Sequence, residues 1–345
     1  MAISDNAASF DAPVDSLRKV LDPFQDGFAA LESFLSEQVS SFEPEVQPLV
    51  RECFLHSGKM LRPTLVFAFF ADDEPLLDGD VIKAAAIVEL VHLATLVHDD
   101  ILDEADLRHR SKTMVSRYGT HTSVLLGDAL FAHALHLAAD FPTVEICRAV
   151  SRATRQVCSG EIAQTFTRGS LPSLDSYFRM IDLKTAELFK VSAFLGAFLA
   201  ELSTAEIEAA LRFARHLGIA YQIYDDTADI FAEEKTAGKT LGTDAASGKA
   251  TLPVLFWLQS LPETERGKVL EGWRNGNDQL PLLRRRIGQD GVAEQLEKTF
   301  QEEISMARKA GNLLGCPERR QRLAGLLAYL ELSWNKIAPR RLLEV

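Results

Sequence analysis

Two runs of the sequence, His98-Asp99-Asp100-Ile101-Leu102-Asp103 and Tyr224-Asp225-Asp226-Thr227-Ala228-Asp229, share one arrangement of acids: adjacent aspartates, then a third four residues after the first. On an α-helix positions i and i+4 share a face, so Asp99 with Asp103, and Asp225 with Asp229, each project two carboxylates from one side. Like charges that close repel, and hard divalent cations with oxygen ligands are the usual partner that offsets the repulsion. One such run alone is as readily a solvated helix end. Two runs, flanked by apolar residues such as Leu93, Val97, Ile101, Ile223 and Ile230, are in the wrong setting for an idle exposed face.

The type of cation follows from what surrounds the acids. EF-hand loops need acids in a loop around a central glycine, and di-iron bundles need a Glu-x-x-His motif on each of two helices; neither complete pattern accompanies these runs. Magnesium fits better, because it takes a few carboxylates, keeps waters, and completes its shell with substrate phosphates. That points to a diphosphate, which also needs cations from the protein. Arg108 follows Asp103 closely, Lys184 sits in helical sequence, and Lys239 and Lys249 flank a polar, glycine-containing stretch directly after the second run. Lys59 and Arg62, three apart, could form a separate anion site on one face of a turn.

The elements that must position these residues read as all-α. Apolar residues recur at helical spacing throughout, and alternating β-branched runs are nearly absent. The spacing predicts helices over 14–41 with a break near Pro23, 44–71 with a break at Pro63, 79 to about 108, 122–139, 144–167, 173–202 and 204–231. Amphipathic helices return from Thr251 to Trp334, with a polar break at Asn275-Gly276-Asn277. Ser173 and Thr204 could cap their helices. The polar stretch from Ala232 to Asp244 reads as a loop able to close over bound carboxylates. Residues 1–13 are expected to be a disordered tail, and 14–345 one domain, a single large helical bundle.

Composition narrows the class further. With 47% apolar residues the chain can bury a large core, and its formal charge of -12 argues against a nucleic-acid or anionic-membrane surface. The apolar runs 84–97 and 191–200 are too short to span a bilayer, so no membrane span is expected. Four cysteines without metal-type spacing suit a reducing compartment, and a basic region followed by an apolar run is missing from the N-terminus, so a cytoplasmic location is expected.

In register from about Ser57 to Pro253, Gly58-Lys59-Met60-Leu61-Arg62-Pro63, His98 to Arg108, Gly127-Asp128, Gly160-Glu161 with Gln164, Lys184-Thr185, Tyr221 to Asp229, Gly238 to Asp244 and Gly248 to Pro253 resemble the trans-isoprenyl diphosphate synthases. The resemblance implies a bundle around a central cavity, with the two aspartate runs facing each other across it. Carried over residue by residue, it implies that Asp99, Asp103 and Asp225 hold magnesium on the diphosphate of an allylic prenyl substrate, with Asp100, Asp226, Asp229 and Asp244 in support. Arg108, Lys184, Lys239 and Lys249 then bind that diphosphate, and the oxygens of Thr185 and Gln222 face the cation left when it departs. Lys59, Arg62 and His92 are implied to bind isopentenyl diphosphate without metal, and symmetric dimers being the commonest assembly, a homodimer is expected.

The chain departs from the pattern at one point. Arg108-His109-Arg110 stands where two arginines and a glycine are usual, and the second arginine normally grips isopentenyl diphosphate. A histidine with an ordinary pKa of about 6.5 gives a weaker grip, unless Arg110 substitutes. Ala94 and Thr95, a turn before Asp99, are small, so the product is expected to exceed farnesyl diphosphate, with the floor set deeper, among Ile87, Val91, Phe131, Leu135 or 144–158. On this reading Ala94→Phe shortens the product. Two alternatives fit less well: a class I terpene cyclase, which has no use for the Lys59 and Arg62 site, and a non-catalytic subunit, which would tend to lose aspartates that are all present.

Overall fold

Pro23 interrupts the first helical run, as its fixed φ and missing N–H require: α1 (Ala12–Leu21) gives way to a 3-10 turn and then α2 (Gln25–Gln38). The computed structural model describes residues 12–55, 58–70, 78–108, 111–231, 248–274, 285–286 and 291–337. After α3 (Gln47–Leu55), the break expected at Pro63 falls earlier. Helix α4 (Leu61–Phe70) starts before the proline, which sits in its first turn where a missing N–H forfeits no helical bond. Met60, at φ 51, turns the chain into it.

α5 (Gly79–Leu102) opens on Asp78, whose carboxylate accepts the Asp80 N–H at 2.8 Å. It does not run on to Arg108. Asp103 closes it, and the chain reverses through a short antiparallel ribbon pairing β1 (Leu107–Arg108) with β2 (Ser111–Lys112). α6 (Met114–Ala139) starts before the expected Thr122 because Thr113 caps it, accepting the Ser116 N–H at 3.2 Å, and Gly119 at φ 80 kinks its first part. α7 (Val144–Thr167) has the expected bounds. α8 (Leu174–Ile181), capped by Ser173, passes through a π-helical turn, Asp182–Ala186, into α9 (Glu187–Leu199).

α10 (Thr204–Phe231) also has the expected bounds, but its capping box uses Ser203 with Glu206, not Thr204: the Ser203 hydroxyl donates to Glu206 Oε2 at 2.8 Å. α11 (Leu252–Ser260), α12 (Glu263–Arg274), α13 (Val292–Gly311) and α14 (Pro317–Ile337) follow. The loop from Ala232 to Asp244 and the break at Asn275-Gly276-Asn277 lie outside the described residues. The architecture is all-α, as the periodicity predicts, apart from the ribbon.

α5 forms the middle of the bundle, packed on α4, α6 and α9, while α10 packs on α9 and α13. Ile87, Leu90, Ala84 and Ala86 are wholly buried, and each such aliphatic side chain larger than alanine stabilises the fold by roughly 1.5–3 kcal/mol. α5 and α6 are long and apolar enough to cross a bilayer, yet 72% of the most apolar stretch of α5 is buried within the bundle, so it is spent on the core. At the far end Trp334 stacks on Phe300 with centroids 4.2 Å apart and donates from Nε1 to Glu297 Oε2 at 2.8 Å. That contact docks α14 on α13 and brings Tyr329 and Ser333 to the central cavity.

Candidate active site

A cavity of about 1460 Å³ opens between α4, α5, α7, the π turn, α10 and α14. Asp99 and Asp103 line it together, as the i, i+4 spacing predicts. Asp100, between them, does not: it is buried, and its Oδ1 accepts from Arg108 Nε at 2.7 Å. Burial raises the Asp100 pKa, with Arg108 pulling against the rise. Arg108 reaches back to Asp100 because the ribbon reverses the chain. Its guanidinium is thus engaged by a carboxylate, although the residue still lines the cavity.

Asp103 is held from two sides. Lys249 Nζ donates to its Oδ2 at 2.8 Å, and Arg168 Nη2 donates to Oδ1 at 3.0 Å while Arg168 Nη1 donates to the Leu102 carbonyl. Burial works to raise the Asp103 pKa, but Lys249, Lys184 and Arg168 outweigh it and hold the carboxyl below the usual range. Asp99 stands 3.8 Å from Lys184 Nζ, which also donates to Gln164 Oε1 at 2.9 Å and pairs with Glu161. Burial disfavours the Lys184 charge, yet Asp99 and Glu161 raise its pKa above that of an ordinary lysine.

Lys184 and its neighbour Thr185 both line the cavity because they lie in the π turn, a widened turn frequent at functional sites. Two glycines make room for it. A Cβ on Gly160 of α7 would lie 2.6 Å from the Lys184 backbone nitrogen, and one on Gly218 of α10 would lie 2.7 Å from Ala186 Cα. From this turn Lys184 reaches toward α5 and Thr185 toward α10.

The second aspartate run is arranged differently from the first. Asp225 lines the cavity. Asp226 reaches its edge, but its oxygens accept from Tyr177 Oη at 2.6 Å, Gln222 Nε2 at 2.7 Å and the Leu252 N–H at 3.4 Å. Gln222 in turn accepts from Thr185 Oγ1 at 2.6 Å. Asp229 is buried and lies outside the cavity lining, so the pairing of Asp225 with Asp229 expected from their spacing is not displayed to the cavity.

A second cationic pole lines the same cavity. Lys59 is exposed, with Nζ 5.8 Å from the Tyr224 ring centroid and 5.7 Å from that of Tyr329. The Arg62 guanidinium lies 5.1 Å over the Phe189 ring, and His92 stands nearby on α5. Glu89, one turn before His92, is buried at this pole. Lys59, Arg62, His92, Asp99, Asp103, Arg108, Lys184, Thr185, Gln222, Asp225, Asp226 and Lys249, all singled out in the sequence, line one cavity; His109, Lys239 and Asp244 lie outside the described residues.

Arg168, Tyr177, Tyr329 and Glu89 were missed. Only Glu89 left a signal, its i, i+3 spacing from His92 on a helix already identified. Among the described residues no three metal-binding side chains converge into a finished cage. The donors that open on the cavity, Asp99, Asp103 and Asp225, are hard oxygens separated by cations, which suits a divalent ion that arrives with a phosphate-bearing ligand.

The family profile described as Polyprenyl synthetase matches residues 43–280. The chain is 32% identical over 316 residues to the all-trans-nonaprenyl-diphosphate synthase (geranyl-diphosphate specific) of Rhodobacter capsulatus, covering 91% of this chain and 97% of that protein. It is 29% identical to the octaprenyl diphosphate synthase of Haemophilus influenzae over 93% of this chain and 97% of that one. Among solved structures, the decaprenyl diphosphate synthase from Rhodobacter capsulatus superposes with a TM-score of 0.84 at 27% identity, over 93% of this chain and 99% of that one. A polyprenyl synthase from Caulobacter crescentus, complexed with calcium and isoprenyl diphosphate, gives 0.82 at 28% identity, over 93% and 97%. One cavity with an aspartate pole and a separate cationic pole, and relatives that match over nearly their whole length, lead to the same assignment: the chain belongs to the polyprenyl synthetase family.

Proposed function

We propose that the chain condenses an allylic prenyl diphosphate with isopentenyl diphosphate and repeats the step to give a trans-polyprenyl diphosphate longer than farnesyl. The observation that carries this reading is the presence of two separate anion-binding poles in one cavity, one rich in carboxylates and cations, the other cationic around Lys59 and Arg62. Asp99, Asp103 and Asp225 would hold magnesium, which would supply charge neutralisation and Lewis acidity at the allylic diphosphate. Calcium with isoprenyl diphosphate in the Caulobacter crescentus relative supports a divalent ion in that role.

The protein's own groups do the rest. Lys184, Lys249 and Arg168 stand among those carboxylates, placed to take the negative charge that builds on the departing diphosphate. Gln222 and Thr185 present oxygen dipoles to the allylic cation; because Gln222 spends its amide N–H on Asp226, its carbonyl end is fixed toward Thr185 and the cavity. Lys59, Arg62 and His92 hold the second diphosphate so that its double bond faces the cation.

Product length is supported by the relatives, named as nonaprenyl and octaprenyl synthases, and by the wall beneath Asp99. Thr95, Phe131, Val157 and Cys158 line it, whereas Ala94, Ile87 and Val91 are buried outside the lining. Of the two residues expected at that depth, Ala94 and Thr95, Thr95 lines the cavity and Ala94 does not, so Ala94→Phe is not the change that narrows it. Incubating the purified chain with magnesium, isopentenyl diphosphate and geranyl or farnesyl diphosphate, with products identified by mass, tests the proposal. Elongated diphosphates support it. A cyclised hydrocarbon favours a terpene cyclase, and no turnover by the chain alone favours a modulatory subunit. We also propose a homodimer, since α6 and α7 leave Leu125 and Phe166 exposed; light scattering checks it.

A further inference from the structure

The cationic pole contains an acid that the proposed chemistry does not use. Glu89 is 1% exposed on α5 and lines the cavity with Arg62 and His92. Burial pushes its carboxyl up to about 7, against the pull of Arg62. Burial also lowers the Arg62 pKa, with Tyr221, Glu89 and Asp99 sustaining its charge. The guanidinium lies over the Phe189 ring, and its Nε is buried without a hydrogen-bond acceptor among the described residues.

The buried Glu89 and the half-buried Arg62 therefore line one pole of the cavity as opposite charges that nearly cancel. A diphosphate brings several negative charges to Arg62, and an ionised carboxylate left in the same pole would repel it. Protonation of Glu89 removes that repulsion at the lowest cost available, since its carboxyl is already poised to accept a proton.

We propose that Glu89 is the proton-linked counter-charge of this pole: ionised, it offsets the Arg62 charge across the cavity, and when isopentenyl diphosphate binds it takes one proton from solvent so that Arg62 faces the ligand unopposed. The inference rests on the reading of Lys59, Arg62 and His92 as the isopentenyl diphosphate site. The groups that share the pole are Lys59 and Arg62 on the α4 side, His92 and Asp99 on α5, Tyr221 on α10 and Tyr329 on α14, with Phe189 of α9 supplying an apolar ring. Among the described residues Arg62 is the one charge that shifts the Glu89 carboxyl, so α2 and α6 add none. Glu89 is a positioning residue, acting through Arg62.

The sign follows from linkage. Binding with proton uptake weakens as pH rises above the pKa of the free site, so KM for isopentenyl diphosphate should climb by up to about tenfold per pH unit above about pH 7. Titration of His92 and of the ligand also contributes, and Glu89→Gln retains both, so the comparison with wild type isolates Glu89. With saturating allylic primer, KM for isopentenyl diphosphate in Glu89→Gln should match wild type within about twofold near pH 6 and fall about tenfold below it near pH 8.5, while KM for the primer stays unchanged. Calorimetry of isopentenyl diphosphate binding without primer, in two buffers of different ionisation enthalpy near pH 7.5, should show wild type taking up more protons than the variant, by up to about one. Parallel pH profiles, or a variant KM raised at every pH, overturn the proposal. Should Glu89→Gln not fold, calorimetry of His92→Gln, which removes the other group able to take up a proton there, decides: uptake near pH 7.5 that disappears below about pH 6 supports the role, and none at any pH overturns it. Wild type that neither binds nor elongates isopentenyl diphosphate overturns the functional reading as well, whereas binding without a Glu89-dependent proton overturns this inference only.

Discussion

Replacing Gly160 by alanine tests whether the π turn sets the position of the Lys184 ammonium, proposed above to take charge from the departing diphosphate. The added Cβ would sit 2.6 Å from the Lys184 backbone nitrogen, 2.9 Å from its Cα and 3.0 Å from Leu183 Cβ. Two of these neighbours are backbone atoms, so no side chain can rotate away. α7 and the turn must separate by about 0.8 Å to reach ordinary contact. Overpacking of that kind costs roughly 1–3 kcal/mol of stability. The larger effect falls on Lys184, whose ammonium is set 2.9 Å from Gln164 and 3.8 Å from Asp99. Displacing a reacting group by about 1 Å can lower a rate by about 10²-fold. We expect kcat for elongation to fall by about 10- to 100-fold, with KM for isopentenyl diphosphate within about threefold of wild type, because Lys59 and Arg62 are carried by a different segment. Steady-state kinetics with labelled isopentenyl diphosphate and urea denaturation give the two readouts. Gly79→Ala, where no atom lies within 4 Å of the new Cβ, is the control and should leave both unchanged. A Gly160→Ala enzyme with wild-type kcat would refute the claim that close packing on α7 positions Lys184.

Three further outcomes are expected. Tyr177→Phe removes a buried 2.6 Å hydrogen bond to Asp226 and should destabilise the fold by about 1.5–3 kcal/mol in urea denaturation; a loss below about 0.5 kcal/mol would mean that solvent replaces the phenol. Glu206 has its pKa lowered by the Ser203 side chain and the Gly315 N–H, so it stabilises the fold above its unfolded pKa of about 4.3 and that contribution is lost as pH falls through its lower folded value. Solvent screens this partly exposed carboxylate, so Glu206→Gln should cost no more than about 0.3–1 kcal/mol at neutral pH and nothing near pH 2, a difference that urea denaturation at both pH values reads directly. Thr95→Phe narrows the cavity a turn before Asp99 and should shorten the product by one or more isoprene units in mass analysis; an unchanged product would place the floor elsewhere.

The helix pattern, the bounds of α7 and α10, and the shared face of Asp99 and Asp103 were all legible in the sequence, because backbone geometry alone relates residues three and four apart. The same rule misplaced Asp229. It correctly phases that residue on α10, but whether a face is open or covered depends on what packs there, and α10's own periodicity does not carry that. Pro63 was read as a break because interior prolines break helices, while its actual first-turn position depends on where the preceding segment lets α4 begin.

The sequence by itself determined the chemical types: two acidic runs, a cationic turn, and enough apolar periodicity to hold them in a helical bundle. Only the tertiary structure decided which carboxylates face the cavity, that Arg168 and Lys249 converge on Asp103, that Tyr177 and Gln222 engage Asp226, and that Glu89 shares a pole with Arg62. Periodicity is a property of bonded neighbours, fixed by backbone sterics, whereas convergence requires helices far apart in the chain to pack at one spacing. Here that spacing depends on glycines such as Gly160 and Gly218, whose importance comes from the backbone pressed against them.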